Sequence, residues 1–169
     1  MLSHIAVFLL RHALVHTRFS TVRGRMISIF KSTYWRQHVA LDVGTATIRL
    51  AAGPSQLIEQ PSRIGDKRAL RGGVVVDGDT ISHILKPLLD RTRQFGIVKP
   101  YVLTCAPSDA RPEERQLLID SIMRSGAAEA AVIPEPMAAA IGAGIDVSSP
   151  YARMVIDIGE GVTDCAIIR

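Results

Sequence analysis

The chain has 169 residues, 47% hydrophobic and only 5% aromatic, enough for one sizeable core and too few rings for a base-stacking surface. Residues 1–41 hold no Asp or Glu but six Lys/Arg: Arg11, Arg18, Arg23, Arg25, Lys31 and Arg36. The remainder carries 14 basic against 16 acidic residues, so the formal +4 belongs to the N-terminal arm and a basic nucleic-acid-binding domain is excluded.

Residues 1–38 read as that basic arm. Its first apolar stretch, Ile5 to Leu10, is too short for a membrane span, which needs about 20 residues. No Lys or Arg precedes the stretch and no small-x-small site follows it, so a secretory leader does not fit. A basic amphipathic segment lying on an anionic membrane fits better, with a disordered leader, or one outside the native product, as the alternative. Met26 is an alternative start: from there Ile27, Ile29, Phe30, Tyr34 and Trp35 mix with Lys31 and Arg36, and Phe30 and Trp35 can dip into an interface. Four of the five histidines lie in the arm without carboxylates, which makes no ligand set.

From residue 39 the pattern alternates strand and helix, implying a mixed sheet with helices on its faces. Val39 to Val43 and Thr47 to Ala52 predict a hairpin around Gly44-Thr45-Ala46. Residues 54–73 read as loop with a basic cluster, Arg63, Lys67, Arg68 and Arg71, before a short strand at Val74–Val76. Thr80 is the expected cap of a helix whose Ile81, Ile84, Leu85, Leu88 and Leu89 form one apolar stripe, interrupted by Pro87. Tyr101 to Ala106 predicts a buried strand, Pro112 to Gly126 a helix, and Ala130 to Ile133 another strand. Pro136 opens an Ala-rich helix, and Met154 to Ile158 leads into a second glycine turn. Cys105 and Cys165 both lie in apolar runs and read as buried thiols rather than a disulfide or metal site.

The two glycine turns repeat one device. A polyphosphate needs backbone N–H groups converging on one point, which glycine permits, and its divalent metal needs carboxylates, often through water. The first turn supplies Asp42, Gly44, Thr45 and Thr47. The second supplies Asp157, Gly159, Glu160, Gly161, Val162, Thr163 and Asp164. Two hairpins on one sheet would clamp the phosphates, with Asp42 and Asp157 flanking the metal. Either turn alone reads first as an ordinary hairpin, and it is the two matched copies with a third element, Glu135, that favour the clamp. Glu135, between two prolines at a strand end, is placed to orient a water towards a terminal phosphate, or simply to cap the helix that follows.

In this order and spacing the motifs resemble the actin, heat-shock chaperone and sugar kinase superfamily, and within it the bacterial MreB-type actins. The resemblance runs from Leu41 to Ile168. LDVGTAT, CAPS…ERQLLIDS…SGA, IPEPMAAAIGAGIDVSSP and MVIDIGEGVTD carry it. It implies a ribonuclease H-like actin-fold lobe over residues 39–169, with ATP or GTP and Mg2+ as cofactors. It also implies filament formation, the cell-wall elongation machinery as partner, and a cytoplasmic place at the inner face of the membrane. Asp42, Gly44 and Thr45 would lie in the first phosphate loop, and Asp157, Gly159, Gly161 and Thr163 in the second. Glu135 would be the water-orienting acid.

Three departures qualify this. MreB-type chains usually carry Gly-Gly-Gly-Thr-Thr-Glu in the second loop, where Glu160 here adds a negative charge. Only residues 54–73 stand where the family carries a subdomain of several dozen residues, which leaves self-association doubtful. The sequence stops at Arg169, so a truncated lobe without its second half, weak nucleotide affinity and slow hydrolysis are expected. A chaperone-type or EutJ-like metabolosome-associated ATPase, or a non-catalytic partner-binding fragment with Ile141 and Ile145 exposed, are the alternatives.

Overall fold

The computed structural model describes residues 37–53 and 56–169. The readings of the arm, including Met26 as a start and Phe30 and Trp35 at an interface, lie almost wholly outside the described residues.

Strands β1 (His38–Val43), β2 (Thr47–Ala52) and β3 (Gln56–Pro61) form an antiparallel meander. β8 (Tyr101–Ala106) and β9 (Glu129–Pro134) add in parallel on the other side of β1, giving the mixed order β3-β2-β1-β8-β9. Between β3 and β8 lie the two-residue strands β4 (Arg63–Ile64), β5 (Lys67–Arg68), β6 (Leu70–Arg71) and β7 (Val74–Val75), then helix α1 (Gly78–Asp90). Helix α2 (Pro112–Arg124) connects β8 to β9, and α3 (Glu135–Gly142) follows β9 directly.

Strand alternation sorts the core into two layers. Val39, Leu41, Val43, Ile48, Leu50 and Val102 belong to the cluster that α1 and α2 complete with Ile81, Leu85, Leu89, Leu118 and Ile122. Ala40, Ala51, Cys105 and Ile133 face the other way and pack with Ala138 of α3. Helices therefore stand on both faces of a mixed sheet, as the sequence implies.

The region expected to be loop contains β3. Its residues Gln56, Leu57, Glu59 and Pro61 are exposed, and only Ile58 packs against the core, so as an edge strand it lacks the apolar alternation that marks the others. Asp77, not Thr80, caps α1. Its carboxylate accepts from the N–H groups of Asp79 (3.1 Å) and Thr80 (2.9 Å) and from the Thr80 hydroxyl (2.7 Å). The helix also runs through Pro87 to Asp90. The lost backbone bond costs about 3 kcal/mol. Burial of Ile81, Ile84, Leu85, Leu88 and Leu89, at ~1.5–3 kcal/mol each, outweighs it. Helix α2 ends at Arg124 with Ser125 as cap, and Gly126 follows at φ +107°, a left-handed value suited to the stop read from the sequence.

Strands β10 (Arg153–Ile158) and β11 (Thr163–Ile168) do not join the five-stranded sheet, so the two glycine turns do not share one. They form a separate ribbon, and α3 is the joint: Ala138 packs on the main sheet while Ala140 packs on Val155 and Ile168 of the ribbon. Small side chains let one helix approach both. The opposite ribbon face leaves Met154, Ile156, Ile158 and Ile167 exposed. Ile141 and Ile145, expected to be exposed, are half-buried instead. Cys105 is buried and Cys165 is exposed because it faces outward on β11; both are free thiols.

Candidate functional site

The first turn is held from below. Ser62, itself buried, donates its hydroxyl to the Gly44 carbonyl and its N–H to the Ala46 carbonyl (2.9 Å). The Gly44 N–H bonds to the Thr47 carbonyl at 3.2 Å. A Cβ on Gly44 would sit 2.9 Å from that carbonyl oxygen, so the turn needs glycine for its close approach. The second turn repeats the geometry. The Gly159 N–H bonds to the Val162 carbonyl at 2.9 Å, and a Cβ on Gly159 would stand 3.1 Å from that oxygen. Spacing and bond pattern agree: each turn closes on the residue three ahead.

Although they belong to different sheets, the turns meet. A Cβ on Gly161 would come within 2.9 Å of Cβ and Cγ2 of Thr45, so the loops touch where only glycine fits. Two further segments, not read from the sequence as part of the site, complete the contact. The N–H of Gly73, at φ +77°, donates to the Thr45 hydroxyl at 2.9 Å. A Cβ there would lie 2.8 Å from Pro107 Cγ and 3.0 Å from Val162 Cγ1. After β8, the Ser108 N–H donates to Asp164 Oδ2 at 2.6 Å, tying the ribbon to the main sheet. The adjacent Gly72-Gly73 pair ahead of β7 is the signal that could have marked the third segment.

Three acids converge from three elements: Asp42 at the end of β1, Glu135 at the start of α3 and Asp157 at the end of β10. Asp42 is nearly buried and pairs with Arg49 Nη1 at 3.2 Å, while Arg49 Nη2 reaches Glu59 at 3.3 Å. The sheet register sets this row, since Arg49 stands opposite Asp42 on one side and Glu59 on the other. Burial pushes Asp42 up to about 6 despite the pull of Arg49, with Asp157 and Glu59 adding repulsion. Burial also pushes Glu135 up to about 8, helped by Asp42, Asp157, Asp164 and Asp109. Glu135 makes no side-chain cap bond to α3, whose cap is Pro134. Asp157 is raised by burial and by Asp164, its cross-strand neighbour. Beneath them, Cys105 is raised by burial, then by Asp42, Glu135 and Asp157.

The other expected residues divide. Glu160 lies exposed at the tip of the second turn, and Val162 is half-buried beside Gly73. Thr163 pairs with Ile158 on the outward ribbon face, away from the face shared by Asp157 and Asp164. A cavity of about 450 Å³ opens beside the first turn, lined by Thr45, Ala46, Thr47 and Glu160 together with residues of β3 to β5. Among the described residues no group of three His, Cys, Asp or Glu could hold a metal ion directly. The gathered, mutually repelling carboxylates would favour a hydrated cation, which would relieve each of them.

The MreB/Mbl protein family model matches residues 39–169. Over 110 residues the chain is 37% identical to the cell shape-determining protein MreB of Escherichia coli strain K12, a match covering 64% of this chain and 32% of that protein. Over 134 residues it is 33% identical to the cell shape-determining protein Mbl of Bacillus subtilis strain 168, covering 77% and 40%. The crystal structure of MreB 5 of Spiroplasma citri bound to AMPPNP superposes with a TM-score of 0.70 at 28% identity, covering 80% of this chain and 50% of that one. The chain thus spans about a third to half the length of these relatives.

Proposed function

Because the chain belongs to the MreB/Mbl protein family, we propose that it is an actin-like cytoskeletal protein of cell-shape determination that binds a nucleoside triphosphate with Mg2+. The observation that carries this reading is the contact of two matched glycine turns, Thr45 against Gly161, together with the mutually repelling acids Asp42, Glu135 and Asp157. The AMPPNP bound in the Spiroplasma citri relative supports it.

In this reading the turns around Gly44, Thr45 and Thr47 and around Gly159, Glu160, Gly161, Val162 and Thr163 present backbone N–H groups to the phosphates. Asp42 and Asp157 hold Mg2+ through water. The ion supplies charge neutralisation between phosphates and carboxylates. Glu135 orients a water, and it can accept a proton only when ionised. With its carboxyl raised to about 8, roughly one copy in ten is ionised at pH 7 before a cation arrives, and the cation held by Asp42 and Asp157 restores the ionised form. Titration calorimetry with Mg-ATP tests this: wild type binds and D157A binds at least tenfold more weakly. Equal binding by the two, or none by wild type, refutes the reading.

A peripheral place on an anionic membrane belongs to the same proposal. Among the described residues no helix is long and apolar enough to cross a membrane. The turn after α1 presents Phe95, held at φ +55°, and Ile97, each 76% exposed, between Arg91 and Lys99. Two solvated apolar side chains flanked by cations suit an anionic lipid surface. Filament formation and engagement of the cell-wall elongation machinery are proposed from family membership. A second reading, a partner-binding module without turnover, is favoured by the exposed ribbon face of Met154, Ile156, Ile158 and Ile167. A monomeric chain that fails to bind hydrophobic dyes would count against it.

A further inference from the structure

The turns and the acids leave the basic cluster of residues 63–71 without a role. The β4–β5 ribbon places Arg63 directly opposite Arg68, and both line the cavity of about 450 Å³ beside Thr45, Ala46 and Thr47. Like charges on facing positions of a two-stranded ribbon repel each other. Neither guanidinium forms an ion pair among the described residues. Of the two acids on the same cavity, Glu59 is already engaged by Arg49 at 3.3 Å, and Glu160 sits on the second turn. The cavity thus sets two forked donors against the wall formed by the first turn, an arrangement whose missing member is an anion with several oxygens.

We propose that Arg63 and Arg68 form an anion-binding wall that contacts the outer oxygens of a polyphosphate seated on the first turn. The short basic segment after β3 thereby adds a second grip on the phosphates, beyond the two glycine turns. This rests on the proposed function only in taking the first turn as a phosphate seat, and it needs no contact to a nucleoside. Both arginines are exposed, so their substitution leaves the fold intact.

The test is calorimetry on the full chain with inorganic triphosphate and, separately, Mg-ATP. Wild type binds triphosphate. R63Q/R68Q binds it about 100-fold more weakly, as expected for loss of two charge-assisted forks. R63K/R68K, which keeps charge but loses the planar fork, binds about tenfold more weakly. K86Q, on the exposed side of α1, is unchanged. Triphosphate binding that depends on both arginines, with no wild-type binding of Mg-ATP, upholds the wall and refutes the nucleotide reading. Mg-ATP and triphosphate binding that ignore R63Q/R68Q overturn the wall and leave the nucleotide reading standing. Failure of wild type to bind either anion overturns both.

Discussion

Glu135→Gln removes a charge and keeps the shape of the side chain, so it isolates the electrostatic cost of the acid cluster. Burial, then Asp42, Asp157, Asp164 and Asp109, raises the Glu135 carboxyl from an ordinary 4.5 to about 8. At about 1.4 kcal/mol per tenfold, a fully enclosed group would make this worth ~5 kcal/mol. The side chain is only partly enclosed, so screening reduces it to ~2–3 kcal/mol. The folded state binds this proton more tightly than the unfolded state. Its contribution is therefore complete below about pH 4.5 and lost as pH rises through about 8. Asp42, raised to about 6 chiefly by burial, adds its own decline at lower pH but is present in both proteins. The difference between them then follows Glu135 to first order. Urea unfolding followed by circular dichroism from pH 4 to 9 should show E135Q gaining ~2–3 kcal/mol on wild type across that range. Saturating Mg2+ should shrink the gain. Parallel stability curves for the two proteins would mean that the acid cluster does not raise the Glu135 carboxyl.

Three further variants, two of them with a rescuing second change, probe separate parts of the structure. R49M leaves Asp42 nearly buried without its 3.2 Å partner and should cost ~3–5 kcal/mol in urea midpoint analysis, while D42N/R49M recovers much of it. G161V has no room against Thr45 and should cost ~1–3 kcal/mol in thermal melts, with T45G restoring part of the loss. F95D/I97D replaces two exposed side chains, so stability should stay within about 0.5 kcal/mol, while flotation with anionic liposomes should fall. Undiminished flotation would remove the loop from the membrane proposal.

Elements buried on a recognisable period are legible from residues alone: β1 and β2 around Gly44, β8 and β9 as apolar runs, and α1 from its stripe of Ile and Leu. β3 is not, because an edge strand with only Ile58 turned inward looks polar in sequence. The site divides in the same way. Glu135 is marked by its flanking prolines and the two turns by their repeated glycines, whereas Arg49 finds its partners across strands, seven and ten residues away. Gly73 and Ser108 enter through contacts made only when separate loops meet. The assignment of both hairpins to one sheet fails for a related reason. Strand character says nothing about which strands pair, and here the pivot is a helix small enough to pack on two sheets at once.

Two glycine turns that face one anionic guest should respond to it together. Amide chemical-shift mapping by NMR during titration with Mg-AMPPNP tests this most directly. The N–H signals of Gly44 to Thr47 and of Gly159 to Thr163 should shift in concert, with one shared affinity. Shifts confined to a single turn, or falling elsewhere on the surface, would contradict this.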